Sequence, residues 1–196
     1  MEIMTVEKSV KWLGLVCILA GITRMGMTPA GLIYGGDSKQ EITFALIASI
    51  LMGISSFNLY LSQSRQTGVF GFIAALLLSV GNIILASGFY GFFAYGSLPK
   101  PGTFVNIAES LTYPGLLLGT IILMIVTFRA KLFPRWYIVI FILMILSLGI
   151  PFLGDWFAFF WGLTYVAMGY TIFTEKCKVM KANDRTLHRQ DTVVKN

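Results

Sequence analysis

The chain has 196 residues, 56% of them hydrophobic and only 12% charged. A water-soluble domain carries roughly 25% charged residues, so too little polar surface remains here to coat a soluble particle. The net charge of +6 does not point to nucleic acid, because Lys and Arg lie between and after apolar runs and form no basic face. Charge placed there orients a membrane protein.

A helix needs about 20 apolar residues to cross the hydrocarbon core, and six runs qualify. They are predicted at Trp12 to Leu32, Ile42 to Leu61, Gly68 to Tyr95, Val105 to Phe128, Trp136 to Leu153 and Trp156 to Thr174. The third would reach roughly 42 Å at 1.5 Å per residue, so it must tilt or project past the membrane. Polar linkers divide the runs: Gly35 to Gln40, Ser62 to Gln66, Pro99 to Gly102, Arg129 to Arg135, and a tight turn at Gly154-Asp155. None is long enough for a soluble domain. The expected organisation is one transmembrane domain over residues 1–175 and a basic tail over 176–196, too poor in apolar residues to fold alone and expected to stay disordered. The first run exceeds a signal-peptide core and lacks an Ala-x-Ala site, so it is read as a span.

Orientation follows from the basic residues. Of the 15 Lys and Arg, twelve fall in the N-terminal segment, the second and fourth linkers and the tail. Only Lys39 and Lys100 fall in the other loops, and Arg24 lies within the first run. The positive-inside rule therefore places both ends in the cytoplasm. The predicted fold is all-α, a polytopic bundle of six transmembrane helices, N-in/C-in.

Ionisable groups inside a bilayer are costly and are functional candidates by default. Arg24 lies thirteen residues beyond Lys11, roughly 20 Å from the inner boundary. Glu109 lies twenty residues before Arg129, Asp155 twenty after Arg135, and Asn82 fourteen after Gly68, so all are expected in the outer half. The sharp reading is a polar, ligand-binding pocket open to the outside: Arg24 pairs with Glu109, and Asn82, Tyr90, Tyr113 and Asp155 line the rest. The plain reading is a structural Arg24–Glu109 lock. Pro114 either kinks the fourth helix and frees the Ser110 carbonyl beside Glu109, or opens a shorter helix.

Other features read as structure. Ser55, Asn58 and Ser62 share one face of the second run and suit interhelical hydrogen bonds. Gly115-x-x-x-Gly119 and Ser49-x-x-x-Gly53 are small-residue packing signals. Trp12, Trp136, Tyr137 and Trp156 at span ends read as interfacial anchors, and Trp161, Tyr165 and Tyr170 as packing within the sixth run. Cys17 and Cys177 lie at different depths, so no disulfide joins them.

Several chemistries find no support. The single His188 sits in the tail, so there is no bis-histidine haem or HExxH zinc site. No mid-span Lys serves a Schiff base. No phosphate loop and no CxxC pair occur. No cofactor or metal is expected. Glu109 and Asp155 alone could serve an intramembrane lipid-modifying enzyme, and no motif joins them.

The stretch Arg129-Ala130-Lys131-Leu132-Phe133-Pro134-Arg135-Trp136, with Gly162, Tyr165, Gly169 and Tyr170, is similar to a family of small six-span bacterial membrane proteins. These carry an Arg-x-x-x-x-Pro-Arg-Trp turn between spans four and five. The resemblance runs from Phe128 onward. It implies a bacterial cytoplasmic membrane and carries no activity or site residue. The leading expectation is therefore a non-enzymatic membrane protein, such as a sensor, immunity protein or accessory subunit. Its partners are the lipid bilayer and either a small amphiphilic ligand or a membrane protein. The alternatives are a transporter or channel subunit acting as a homo-oligomer, and the enzyme.

Overall fold

The computed structural model describes residues 6–96, 102–131, 133–134 and 136–174. The basic tail and the Pro99–Pro101 linker lie outside them. The described residues are helical, without strands: α1 Val6–Tyr34, α2 Lys39–Leu61, α3 Ser64–Tyr95, α4 Thr103–Ala130, α5 Trp136–Gly149, a 3₁₀ turn Pro151–Trp156, and α6 Phe157–Phe173. Five helical segments are long and apolar enough to cross a membrane: α1 to α4, and Leu153–Phe173, which contains α6. The fifth predicted run is shorter than expected, because α5 has 14 residues. It stops where Ile150 turns extended ahead of Pro151, which has no N–H and disfavours helix before it. The expected tight turn at Gly154-Asp155 is instead part of the 3₁₀ segment.

Local chemistry sets the other boundaries. Ser38 caps α2 by accepting from the Glu41 N–H at 3.3 Å, while the Glu41 carboxylate accepts from the Asp37 N–H at 2.8 Å. This resembles a capping box displaced by one residue: Ser38 satisfies a helix-end donor, and Glu41 holds the residue before the cap. Gly68 has φ 53 and ψ −139, a region open to glycine alone. It separates a first turn, Ser64–Thr67, from the remainder of α3. Pro114 stands inside α4, eleven residues past its start. The shorter-helix alternative is thereby excluded, and the Ser110 carbonyl loses its helical N–H partner.

The surface fits lipid rather than water. Ile33, Val69, Phe70 and Leu111 are about 70% exposed, amid dozens of other bare apolar side chains. Patches of that extent are not sustained on a soluble monomer. The protein is a multi-pass membrane protein.

Helix packing runs α4–α3–α2–α1–α6–α5, and α4 meets α5 only narrowly. The α1–α6 seam is built from glycines spaced by seven: Gly14 and Gly21 face Gly169 and Gly162. A Cβ at Gly169 would stand 2.7 Å from the Gly14 carbonyl oxygen, and one at Gly162 would stand 2.8 Å from the Met25 nitrogen. Seven residues return nearly to the same helix face, so small residues at both ends let the two backbones touch. The expected small-residue signals work unequally. Gly119 presses on Leu77 and Leu78 of α3, whereas Gly115 reaches only Leu77, at 4.0 Å.

Buried polar groups tie the end of the bundle that holds the start of α1 and the α2–α3 connection. With its amide turned so that both ends are satisfied, Asn58 bridges to α1, donating to the Val10 carbonyl and accepting from the Gly14 N–H, each at 3.2 Å. Gln63, in the α2–α3 connection, donates to Thr127 of α4 at 3.0 Å. Cys17 is a free, buried thiol donating to the Tyr165 carbonyl at 3.3 Å. Trp12, Trp136 and Trp156 are exposed as anchors should be. Tyr137 is not: it is 2% exposed, packed edge-on between Phe133 and Phe141. The apolar Phe133 preceding it folds back over the ring, which turns the expected anchor into core.

Candidate functional site

The glycine seam positions the most unusual group in the molecule. Gly21 lies against Gly162, so Arg24, one turn beyond Gly21, is carried onto the residue beside Gly162. That residue is Trp161, and the Arg24 guanidinium carbon lies 4.2 Å from its ring centroid. Arg24 is 6% exposed. Its Nε and Nη1 are buried with no hydrogen-bond partner among the described residues. An isolated buried charge costs several kcal/mol, whereas a desolvated cation over indole recovers about 2 kcal/mol. The ring offsets part of the charge and supplies no oxygen acceptor.

Two of the groups around the guanidinium are already engaged. Tyr165, Tyr113 and Glu41 lie within its electrostatic reach. The Tyr165 hydroxyl shares a hydrogen bond with Ser56 at 3.1 Å, and the Glu41 carboxylate holds the Asp37 N–H. One turn outward from Arg24, Thr28 donates to the Asp155 carbonyl oxygen at 3.1 Å, joining α1 to the 3₁₀ turn. Above this link sits a pocket of about 330 Å³, lined by Met27, Thr28, Gly31, Glu41, Asp155 and Ala158 among others. Its rim carries two carboxylates and lies toward the outer end predicted from charge.

The predicted site residues separate into groups. Arg24 and Tyr113 come within electrostatic reach of each other, and Asp155 lies at the mouth above them. Asn82 does not join them. It packs beside Gly53, which the Asn58 bridge to Val10 and Gly14 places level with Cys17. That is about two turns, roughly 10 Å, inward of Arg24. Counting fourteen residues from Gly68 misplaced it, because Gly68 does not start level with Lys11; the contact with Gly53 sets the start of that count lower. Asn82 donates to the Leu78 carbonyl at 2.8 Å, and its Oδ1 has no partner. Tyr90 is 65% exposed on the outer part of α3.

Glu109 lies on α4, and its side chain is outside the described residues. Its backbone height follows from the antiparallel contacts Gly26 with Phe44, Gly53 with Ser79 and Asn82, and Gly81 with Leu116. Carried from helix to helix, these bring Glu109 within about a turn of Arg24.

Sequence reasoning passed over Trp161 as a partner for Arg24, and also Glu41, Thr28 and Ser56. Two signals were present: the matched seven-residue glycine spacing in α1 and α6, and Ser38-x-x-Glu41. Among the described residues, no three His, Cys, Asp or Glu side chains gather to hold a metal. No family model, curated protein or solved structure matches the chain.

Proposed function

We propose that this chain is a six-span, N-in/C-in protein of a bacterial cytoplasmic membrane that binds a small amphiphile in its outer half, without catalysing a reaction on it. The observation that carries the reading is the buried Arg24 with two guanidinium nitrogens unmatched, one turn below a polar pocket. A membrane protein retains an intramembrane charge of this kind where something engages it. The orientation is supported by the Gln63–Thr127 link. It joins the α2–α3 connection to the end of α4, beside Arg65, Arg129 and Lys131, at the end where Asn58 meets Val10 near Lys8 and Lys11.

The test is native mass spectrometry of the protein extracted gently from its own membrane. A co-purifying amphiphile supports the reading, and a stoichiometric protein partner in its place would redirect it to an accessory subunit. A second reading, a small transporter, is favoured by the buried polar groups that continue inward from Arg24: Ser56, Ser55, Asn58 and Gln63. Substrate flux into proteoliposomes tests it.

A further inference from the structure

We propose that the site takes a zwitterionic head, with a phosphate or carboxylate on Arg24 and an ammonium under the Glu41–Asp155 rim. This deepens the amphiphile reading and rests on it. The order of charges along the membrane normal is the argument. Arg24 lies deeper, 6% exposed, with Nε and Nη1 unpartnered among the described residues. Its planar array of N–H donors matches the oxygens of a carboxylate or phosphate. Trp161 covers the guanidinium carbon at 4.2 Å, which leaves in-plane N–H groups for an oxygen acid.

Beyond Arg24 along α1, Thr28 meets Asp155 after one turn and Gly31 meets the Glu41 carboxyl after two, and all four residues line the pocket of about 330 Å³. A purely anionic head meets an acidic rim on its way to Arg24, and a purely cationic one meets Arg24 beneath the rim. A head with its anion next to the tail and its ammonium beyond it matches both layers. Glu41 is held toward the site by its contact with the Asp37 N–H at 2.8 Å and by Gly31, where an added Cβ would lie 3.2 Å from the carboxyl carbon.

The experiment uses the full chain in an uncharged maltoside micelle, titrated with decyl phosphoethanolamine, decyl phosphate, decanol and inorganic phosphate. Tryptophan fluorescence and thermal stability are the readouts. The expected result is saturable binding of decyl phosphoethanolamine, weakened at least about tenfold by Arg24→Gln and less by Arg24→Lys. Glu41→Gln should erase its advantage over decyl phosphate. Saturation by inorganic phosphate alone, at equal affinity, would keep the anion seat and overturn the head group as its source. Equal binding of decanol, unaffected by Arg24→Gln, would overturn the inference and leave the amphiphile reading standing. No binding of any probe would remove both. Should Arg24→Gln fail to fold, native mass spectrometry of the wild-type chain decides by the charge type of the retained molecule. Strong Arg24–Glu109 coupling in a stability cycle, without probe binding, would identify the α4 carboxylate as the anion and overturn the proposal.

Discussion

Replacing Gly162 with alanine tests whether the α1–α6 seam holds the bundle. The new Cβ would lie 2.7 Å from Met25 Cγ and 2.8 Å from the Met25 backbone nitrogen, and nearer still to the Gly21 carbonyl oxygen. The Met25 side chain can turn aside, but the backbone atoms cannot. Ordinary contact begins near 3.4 Å, so α1 and α6 must part by at least about 0.6 Å, the difference from 2.8 Å, and by more at the nearer Gly21 oxygen. A radial gap of 0.5–1 Å forfeits a quarter to a half of each dispersion contact along the seam. Overpacking of this kind costs roughly 1–3 kcal/mol. In lipid, no hydrophobic gain between helices compensates. The assay is reversible unfolding in mixed micelles, followed by circular dichroism. Gly88→Ala is the control, since a Cβ there meets open space. We expect Gly162→Ala to lose about 2 kcal/mol and Gly88→Ala to change little. Equal stabilities for the two variants would refute the close-approach argument.

Other outcomes are equally definite. Arg24→Met should raise thermal stability in detergent by roughly 1–3 kcal/mol, because it removes an unmatched buried charge. A loss of stability would show that Arg24 is already paired within the fold. A double-mutant cycle on Gln63→Ala and Thr127→Val should give coupling of about 0.6 kcal/mol, typical of hydrogen bonds within membranes, and zero coupling would dissolve the link. With Cys17 buried and Cys177 replaced, a cysteine at Ser38 should react with an impermeant maleimide in intact cells. A cysteine at Ser64 should react only after lysis, and the opposite pattern would reverse the orientation.

Composition and apolar run length sufficed for the all-helical membrane class, because lipid leaves a backbone few choices. The end of α3 at Tyr95 matched its apolar run, and Gly96 closes it in a left-handed conformation at φ 71, whereas the Ser38 cap starts α2 at Lys39, three residues before the run expected from Ile42. Depth was less legible. A residue count gives the rise along one helix but not the level at which that helix starts, and the contact of Asn82 with Gly53 sets it two turns from Arg24. Tyr137 looked like an anchor by position, but a neighbouring Phe133 fold-back buried it. The Arg24–Trp161 contact was hidden for another reason. It depends on α1 meeting α6 at a separation of 137 residues, and only the glycine spacing common to both helices announces that meeting.

That same pairing has a consequence for how the protein is made. Ribosomes deliver α1 to the bilayer well before α6, with four other helices threaded between them. Throughout that interval Arg24 resides in the membrane without the indole that later covers it, and the glycine faces of α1 have no backbone to meet. The nascent chain must therefore shelter α1 at the insertion machinery or within the polar face of α2, where Asn58 grips Val10 and Gly14. A chain interrupted before Trp161 leaves that arginine without its covering ring.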